Sequence, residues 1–327
     1  MITDRANAIC LLEILREYSD EQHILTMKEL ISKLNAIYGL KPDRRTVYSA
    51  VALLIDLGYD ISIYEDNGTG YYLRSRDLEQ PEVLLLMDAV YAFPFIPVRQ
   101  SEELIQKLQK LLSSHQRKLY RHLTIVRQDR KTDNRQVFLN LELLDEAIAE
   151  KKQVSFYYLT YGLDKKLHPR RNSVYVVNPY GLVYMNEHYY LACNRSSYPE
   201  TSLYRLDLIR DIKKLDSPWD KKPERKNEVQ DAVYAFTGKP ENVTLHCARG
   251  VLGDVLDKFG TAIRVYERDE ETVTVNFNAP PRGIKFWALQ YLLYVEVVEP
   301  QWLRDEIIES IQRNRYIQPK IKSEKEG

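Results

Sequence analysis

Between Pro179 and Ile209 the sequence reads PYGLVYMNEHYYLACNRSSYPETSLYRLDLI, and its alternation leaves few folds open. Leu182, Tyr184, Tyr190 and Ala192 alternate with Val183, Met185, Tyr189 and Leu191, the period-two pattern of half-buried strands. Asn186-Glu187-His188 between these runs suits a short hairpin connection. Strands of this kind turn one set of side chains to a core and the other to a face. Here the second set carries tyrosine rings, with Arg195 and Arg205 nearby. Rings beside guanidinium groups are the chemistry of an anionic or nucleotide-like ligand site. Ordinary packing of sheet tyrosines is the competing reading, and composition does not separate the two.

A chain of 327 residues is long for one compact domain, so two or three domains are expected. Apolar residues make up 44% and aromatics 11%, enough for real cores and against disorder. Lys plus Arg equals Asp plus Glu at 47 each, so the chain has no bulk basic field, and any nucleic-acid contact must rest on locally clustered charge. Cys10, Cys193 and Cys247 are odd in number and far apart, which supports neither a disulfide framework nor a zinc knuckle. No run approaches the roughly 18 consecutive apolar residues of a membrane span. The start of the chain is broken by Arg5, Asn7, Glu13 and Arg16, unlike a secretory leader. A soluble cytoplasmic protein without membrane contact is expected.

Spacing along the chain divides it into blocks. Residues 3 to 18 have helical spacing, with Thr3 as N-cap. Thr26-x-x-Glu29 opens a second helix as a capping box and Gly39 closes it. A third helix follows Asp43 and runs through Val47, Val51 and Leu54 to Leu57-Gly58. Tyr59 to Tyr64 and Gly70 to Leu73 read as two strands. Three short helices and a hairpin form a winged helix-turn-helix pattern over residues 1–76. Residues 77–139 form a helical linker, with helix expected over 81–123 and broken near Pro94 and Pro97. From Arg99 to Arg135 this linker holds ten Lys/Arg against four acids, a solvated face or, less simply, a phosphate contact. A helix at Asn140 to Lys151 and a strand at Val154 to Tyr158 open a β-rich block, residues 140–216. Residues 217–240 are charged and proline-punctuated and form a second linker. Residues 241–320 alternate strand and helix in a βαββα-like order, a small α+β unit.

The chemistry sits in two places. In the first, Lys41, Arg44, Arg45, Thr46, Tyr48 and Ser49 lie at the start of the third helix. A helix in the major groove contacts bases mainly near its N-terminus: Arg can pair with guanine, and Lys, Thr, Ser and Tyr can hold phosphates. Residues 1–76 nevertheless hold nine Lys/Arg against eleven Asp/Glu, so double-stranded DNA would be held by a few local cations and by dimerisation. A helix-turn-helix kept for protein contacts is the alternative. In the second, the β-rich block, Tyr158, His168, Arg170, Arg171, Tyr180, Tyr189, Arg205 and Arg210 are the candidate ligand residues. The arginines suit phosphate groups and the rings suit stacking on bases. Solvated strand edges are the bland reading of each charge. No catalytic constellation is visible. The six histidines are scattered, with no metal-binding pair, and no cofactor motif occurs. Cys193 near His188 falls in a strand pattern that favours a buried structural thiol.

Together these segments resemble the WYL-domain transcriptional regulators of bacteria over nearly the whole chain. Arg44-Arg45-Thr46-Val47-Tyr48 is similar to that family's recognition-helix start, and Gly68-x-Gly70-Tyr71-Tyr72-Leu73 to the end of its wing. Pro179-Tyr180-Gly181-Leu182-Val183-Tyr184, then Tyr189-Tyr190-Leu191, then Tyr204-Arg205-Leu206-Asp207 resemble the three WYL signatures in order. Phe259-Gly260 and Val298-Glu299-Pro300-x-Trp302-Leu303 resemble the family's C-terminal extension. The resemblance implies a multidomain α+β protein: a winged helix-turn-helix, a helical linker, an Sm-like β-barrel and a small α+β domain. It also implies a homodimer whose DNA binding answers a nucleotide or single-stranded nucleic-acid effector; that it has no enzymatic activity is the expectation from the missing catalytic constellation. An accessory nucleic-acid- or protein-binding module, such as a defence-system component, is the alternative. Three departures stand out. Tyr189 replaces the name-giving Trp. Leu208 replaces the second Arg of the third signature, leaving Arg210 as a substitute two residues on. Ser49-Ala50 replaces an Arg-Asp pair in the recognition helix.

Overall fold

The computed structural model describes residues 6–118, 131–195, 197–221, 236 and 238–316. They form two compact units, Met1–Arg135 and Gln136–Gly327.

The first unit opens with α1 (Asn7–Tyr18), α2 (Met27–Tyr38) and α3 (Arg44–Asp56). Their apolar faces meet in a core that includes Leu11, Leu15, Leu30, Leu34, Val47 and Leu54. The helix ends follow the capping chemistry. The Thr26 hydroxyl accepts from the Glu29 N–H, the Glu29 carboxylate accepts from the Thr26 N–H at 2.8 Å, and Gly39 ends α2 at φ 72°. Asp43 caps α3 by accepting from the Thr46 N–H at 2.7 Å. Thr3, the expected cap of α1, lies outside the described residues.

The hairpin differs from the expected one. Only β1 (Ile61–Ser62) and β2 (Tyr72–Leu73) pair, and Tyr64–Asn67 forms a helical turn, α4, where strand was expected to run to Tyr64. The cause is local. The Asp66 carboxylate accepts from the Ile63 N–H, and the Asn67 amide bonds Ser62, Ile63 and Gly70, so these side chains satisfy the backbone that a ladder would otherwise hold. Tyr71 bridges back to Leu25, and at Gly70 an added Cβ would stand 2.2 Å from the Leu25 carbonyl oxygen. Gly70→Ala should therefore lower the stability of this unit by about 2 kcal/mol or more, read by thermal or urea denaturation. An unchanged midpoint would mean that the bridge yields without cost.

Beyond β2 come α5 (Gln80–Ala92), α6 (Val98–Gln109) and α7 (Ser114–Lys118). The break falls at Phe93 to Pro97, where Pro94 and Pro97 stand. The Lys131 ammonium satisfies the freed carbonyls there, donating to Val90, Phe93 and Ile96 and to the Ser101 hydroxyl. The rest of the stretch expected to be helical, to residue 123, lies outside the described residues. The Arg76 guanidinium donates to the Arg16, Ser19 and Leu111 carbonyls and so ties α1 to the segment before α7.

The second unit begins with α8 (Val137–Ala149), then β3 (Lys152–Tyr161), β4 (Leu167–Pro169), β5 (Tyr175–Met185), β6 (His188–Arg195), β7 (Tyr198–Arg205) and β8 (Ile209–Pro218). All pairings are antiparallel, in the order β4-β3-β5-β6-β7, with β8 on β3. Register shifts interrupt the β3/β8, β5/β6 and β6/β7 ladders, and such bulges bend strands and curl the sheet. Between β5 and β6, Asn186 and Glu187 make a two-residue turn with φ 47° and 64°, the tight hairpin its position suggested. The Lys214 ammonium holds α8 to β8 through Glu146 at 2.5 Å and Glu150 at 3.0 Å.

A second sheet follows, built from β9 (Glu241–Ala248), β10 (Arg264–Glu267), β11 (Thr272–Ala279) and β12 (Val295–Glu299) in the order β10-β11-β9-β12. With it come α9 (Leu252–Phe259), α10 (Pro281–Gln290) and α11 (Gln301–Gln312). Val243, Leu245, Cys247, Val275, Trp287 and Leu303 fill the core. The βαββα-like order lacked β10. All four of its residues are exposed, so no buried alternation marks it in the sequence.

Candidate functional site

The capped start of α3 displays a polar surface. Lys41, Arg44, Arg45, Tyr48 and Ser49 are exposed, and Thr46 is half-buried beside its cap. Arg45, Tyr48 and Ser49 are spaced three and four residues apart and so share a helical face. The side-chain and backbone bonds from Thr46 hold the Asp43 carboxyl below its usual range. Tyr48 is anchored rather than loose. Its hydroxyl bonds that of buried Tyr71, which is pushed up to about 12 by burial and then by this bond. Further along, Leu53 is 50% exposed and Leu57, just past the helix, 66%.

In the curled sheet the rings of Phe156, Tyr158, Tyr175 and Tyr204 gather with centroids 4.9 to 6.1 Å apart. Such edge and stacked contacts add to the burial of the rings themselves. The Arg171 guanidinium lies 3.5 Å over the Tyr175 ring, a cation–π contact, while its nitrogens donate to the Ser173 and Val174 carbonyls. Beside this box the Arg205 guanidinium forks onto Asp207, Nε to Oδ1 at 3.1 Å and a terminal nitrogen to Oδ2 at 2.6 Å. The Arg205 backbone N–H donates to the Tyr158 hydroxyl at 3.3 Å. Asp207 is only 6% exposed, so the pair is a held charge rather than a solvated one.

Arg205, Tyr190 and His188 answer to that pair. Burial works against the Arg205 cation, but the Asp207 hydrogen bonds and charge raise its pKa. Burial raises the Tyr190 hydroxyl, against the pull of Arg205. Burial and then the Arg205 charge lower His188, whose buried Nδ1 has no hydrogen-bond partner. Burial also pushes Tyr204 up to about 12.

The ladder register decides which expected residues meet. Arg205 pairs across with Tyr190, and Tyr204 with Leu191, so Tyr190 shares a face with Arg205. Tyr189 pairs with Tyr184, their rings 5.4 Å apart, and stands on the face opposite Arg205. Tyr158 and Arg171 thus meet at the ring box, and Arg205 reaches it by its backbone N–H on the Tyr158 hydroxyl. Arg170 touches it by its backbone, donating to the Tyr158 carbonyl at 2.8 Å, with its side chain exposed. His168 is exposed and bonded to Asp164 at 2.9 Å, and the Tyr180 hydroxyl bonds Thr201 at 2.6 Å. Arg210 pairs across with Tyr157, one position off Tyr158, and its buried Nε has no hydrogen-bond partner. Sequence reasoning did not pick out His188, Tyr190, Asp207, Tyr175 or Tyr204 as site residues. The spacing Arg205-x-Asp207 was the available signal, since an acid two residues from an Arg can neutralise it. Among the described residues no three of His, Cys, Asp and Glu gather as metal ligands, and no helix is long and apolar enough to cross a membrane.

Residues 140–214 match the WYL domain and residues 239–313 the WCX domain. Two solved structures are similar over 95% of this chain. Proteasome accessory factor B/C of Arthrobacter aurescens is 15% identical with a TM-score of 0.26, and a CRISPR Cas-related protein is 13% identical with a TM-score of 0.36. The chain spans 48% of the first and 79% of the second. No curated protein sequence matches it. The chain therefore carries a WYL domain, with a WCX domain following it.

Proposed function

We propose that this WYL-domain protein is a ligand-responsive, DNA-binding transcriptional regulator that acts as a cytoplasmic homodimer without catalysis. The observation that carries the reading is α3. A capped helix presents Arg44 and Arg45 exposed in its first turn, in a chain that also carries a WYL domain with a held arginine. In this reading α1, α2, α3 and the β1/β2 pair are a winged helix-turn-helix whose third helix enters the major groove. The curled sheet is an Sm-like barrel that senses an anionic, nucleotide or single-stranded nucleic-acid effector at Arg205 and its rings. The effector acts by having different affinities for two arrangements of the DNA-binding heads, which is the only way a ligand shifts such an equilibrium. Genome-wide footprinting with and without short single strands tests this. Discrete duplex sites whose occupancy changes with the effector are expected; no duplex site under either condition would sink it.

One observation favours a second reading. Exposed Leu53 and Leu57 give the far end of the α3 segment an apolar surface that suits a protein partner. An accessory module built on it would bind single strands with a steep salt dependence and show no specific duplex binding.

A further inference from the structure

On the β6 strand, His188 and Tyr190 are two residues apart and so lie on one face, with ring centroids 6.5 Å apart. Arg205 on β7 is the cross-strand partner of Tyr190. Every charge that acts on this imidazole is identifiable: Arg205 from β7, Asp207 from the turn after it, and Glu187 from the hairpin. Tyr190 on the same strand and Tyr158 on β3 complete the set of ionisable neighbours, both of them tied electrically to Arg205 and Asp207. Asp207 already occupies the Arg205 fork, which leaves Glu187 of the hairpin as the other anion acting on the imidazole and the Arg205 charge set against its protonation. Protonating His188 would add an N–H to a ring whose Nδ1 is buried without a partner, next to a guanidinium. An anion arriving at Arg205 offsets the guanidinium charge that opposes protonation of His188.

We infer that a phosphodiester ligand seated at Arg205 binds together with one proton, taken up by His188. The inference rests on the assignment of the WYL domain as the ligand-sensing site. The electrostatics run in the same direction. Burial and Arg205 hold the free-state His188 below its ordinary range, and a phosphodiester charge beside it favours the imidazolium. The sign follows from linkage. The bound-state pKa lies above the free-state one, so affinity is greatest below the free-state value and falls as pH climbs through the bound-state value. His188 would then act as a specificity residue that prefers anions to neutral ligands of the same shape.

An oligothymidylate of about five nucleotides without terminal phosphates is the probe, because neither its phosphodiesters nor its bases titrate between pH 5.5 and 7.5. A partner charge at hydrogen-bond range changes proton affinity about 10- to 1000-fold, so full-length protein should bind the probe at least about threefold more tightly at pH 5.5 than at pH 7.5. His188→Gln should remove that slope, while His246→Gln, on β9 of the second sheet, should keep it. Calorimetry of the unmodified protein in two buffers of different ionisation enthalpy should count close to one proton taken up. Tight binding without a pH slope or without proton uptake would overturn the inference and leave the ligand-site reading standing. A slope that persists in His188→Gln would overturn it equally. No binding at any pH would remove the ligand-site reading itself, and the inference with it.

Discussion

Replacing Arg44 and Arg45 together by Ala is expected to weaken specific duplex binding at least about 30-fold in a gel shift, since each good Arg–guanine pair contributes about 1–3 kcal/mol of discrimination. The effect should be large because the first 76 residues carry no bulk charge to compensate: nine Lys/Arg face eleven Asp/Glu, so no general positive field holds the duplex. Stability should stay within about 0.5 kcal/mol, because both side chains are exposed and the helix start is held by Asp43 and Thr46 instead. Single substitutions separate the roles. An Arg that reads a base should relax preference at one operator position. An Arg that holds phosphate should weaken all sequences alike and lower the salt slope by about 0.9. Unchanged binding in the double variant would remove α3 as the reading element.

The two halves of the protein were unequally legible, for a physical reason. Local chemistry was readable where it closes on itself. The Thr26–Glu29 capping box, the Asp43 cap and the left-handed Gly39 are interactions over three or four residues, and they stand where their spacing puts them. The hairpin turn at Asn186-Glu187 was legible for the same reason. The extent of the first hairpin was misjudged because Asp66 and Asn67 divert backbone hydrogen bonds into a helical turn, a competition that alternation alone does not show. In the sheet the rings and arginines were visible as a set, but not as a constellation. Which tyrosine faces Arg205 is fixed by ladder register, and one residue of slip exchanges the two faces. The sequence pattern paired Tyr189 with Arg205 as joint ligand residues; the register gives Arg205 to Tyr190 instead. Asp207 was visible only as part of a signature, because its role depends on being buried against the fork.

That register makes Arg205 the position with the largest expected effect in the second unit. Arg205→Ala should abolish binding of short single strands and, separately, lower stability by about 3 kcal/mol, because it leaves the nearly inaccessible Asp207 carboxylate without its fork. The two losses have different causes and can be split. Arg205→Ala with Asp207→Ala removes the stranded charge, so stability should largely return while binding does not. Arg205→Lys keeps the charge but not the planar fork, and should fall between the two in both measurements. The tyrosines then report the face. Tyr190→Ala should follow Arg205 in losing ligand affinity. Tyr189→Ala, which opposes Tyr184 on the other face, should leave it within about threefold. Thermal denaturation read beside fluorescence titration of a labelled oligonucleotide measures both quantities on the same samples. If Arg205→Ala binds as tightly as the unmodified protein, the held arginine is a structural pin for the 3-10 turn at Leu206–Leu208 and the ligand sits elsewhere. If Tyr189→Ala is the variant that loses affinity, the ligand approaches from the opposite face. Its cation would then have to come from a residue other than Arg205, because the side chains of one strand alternate between faces and Arg205 cannot serve both.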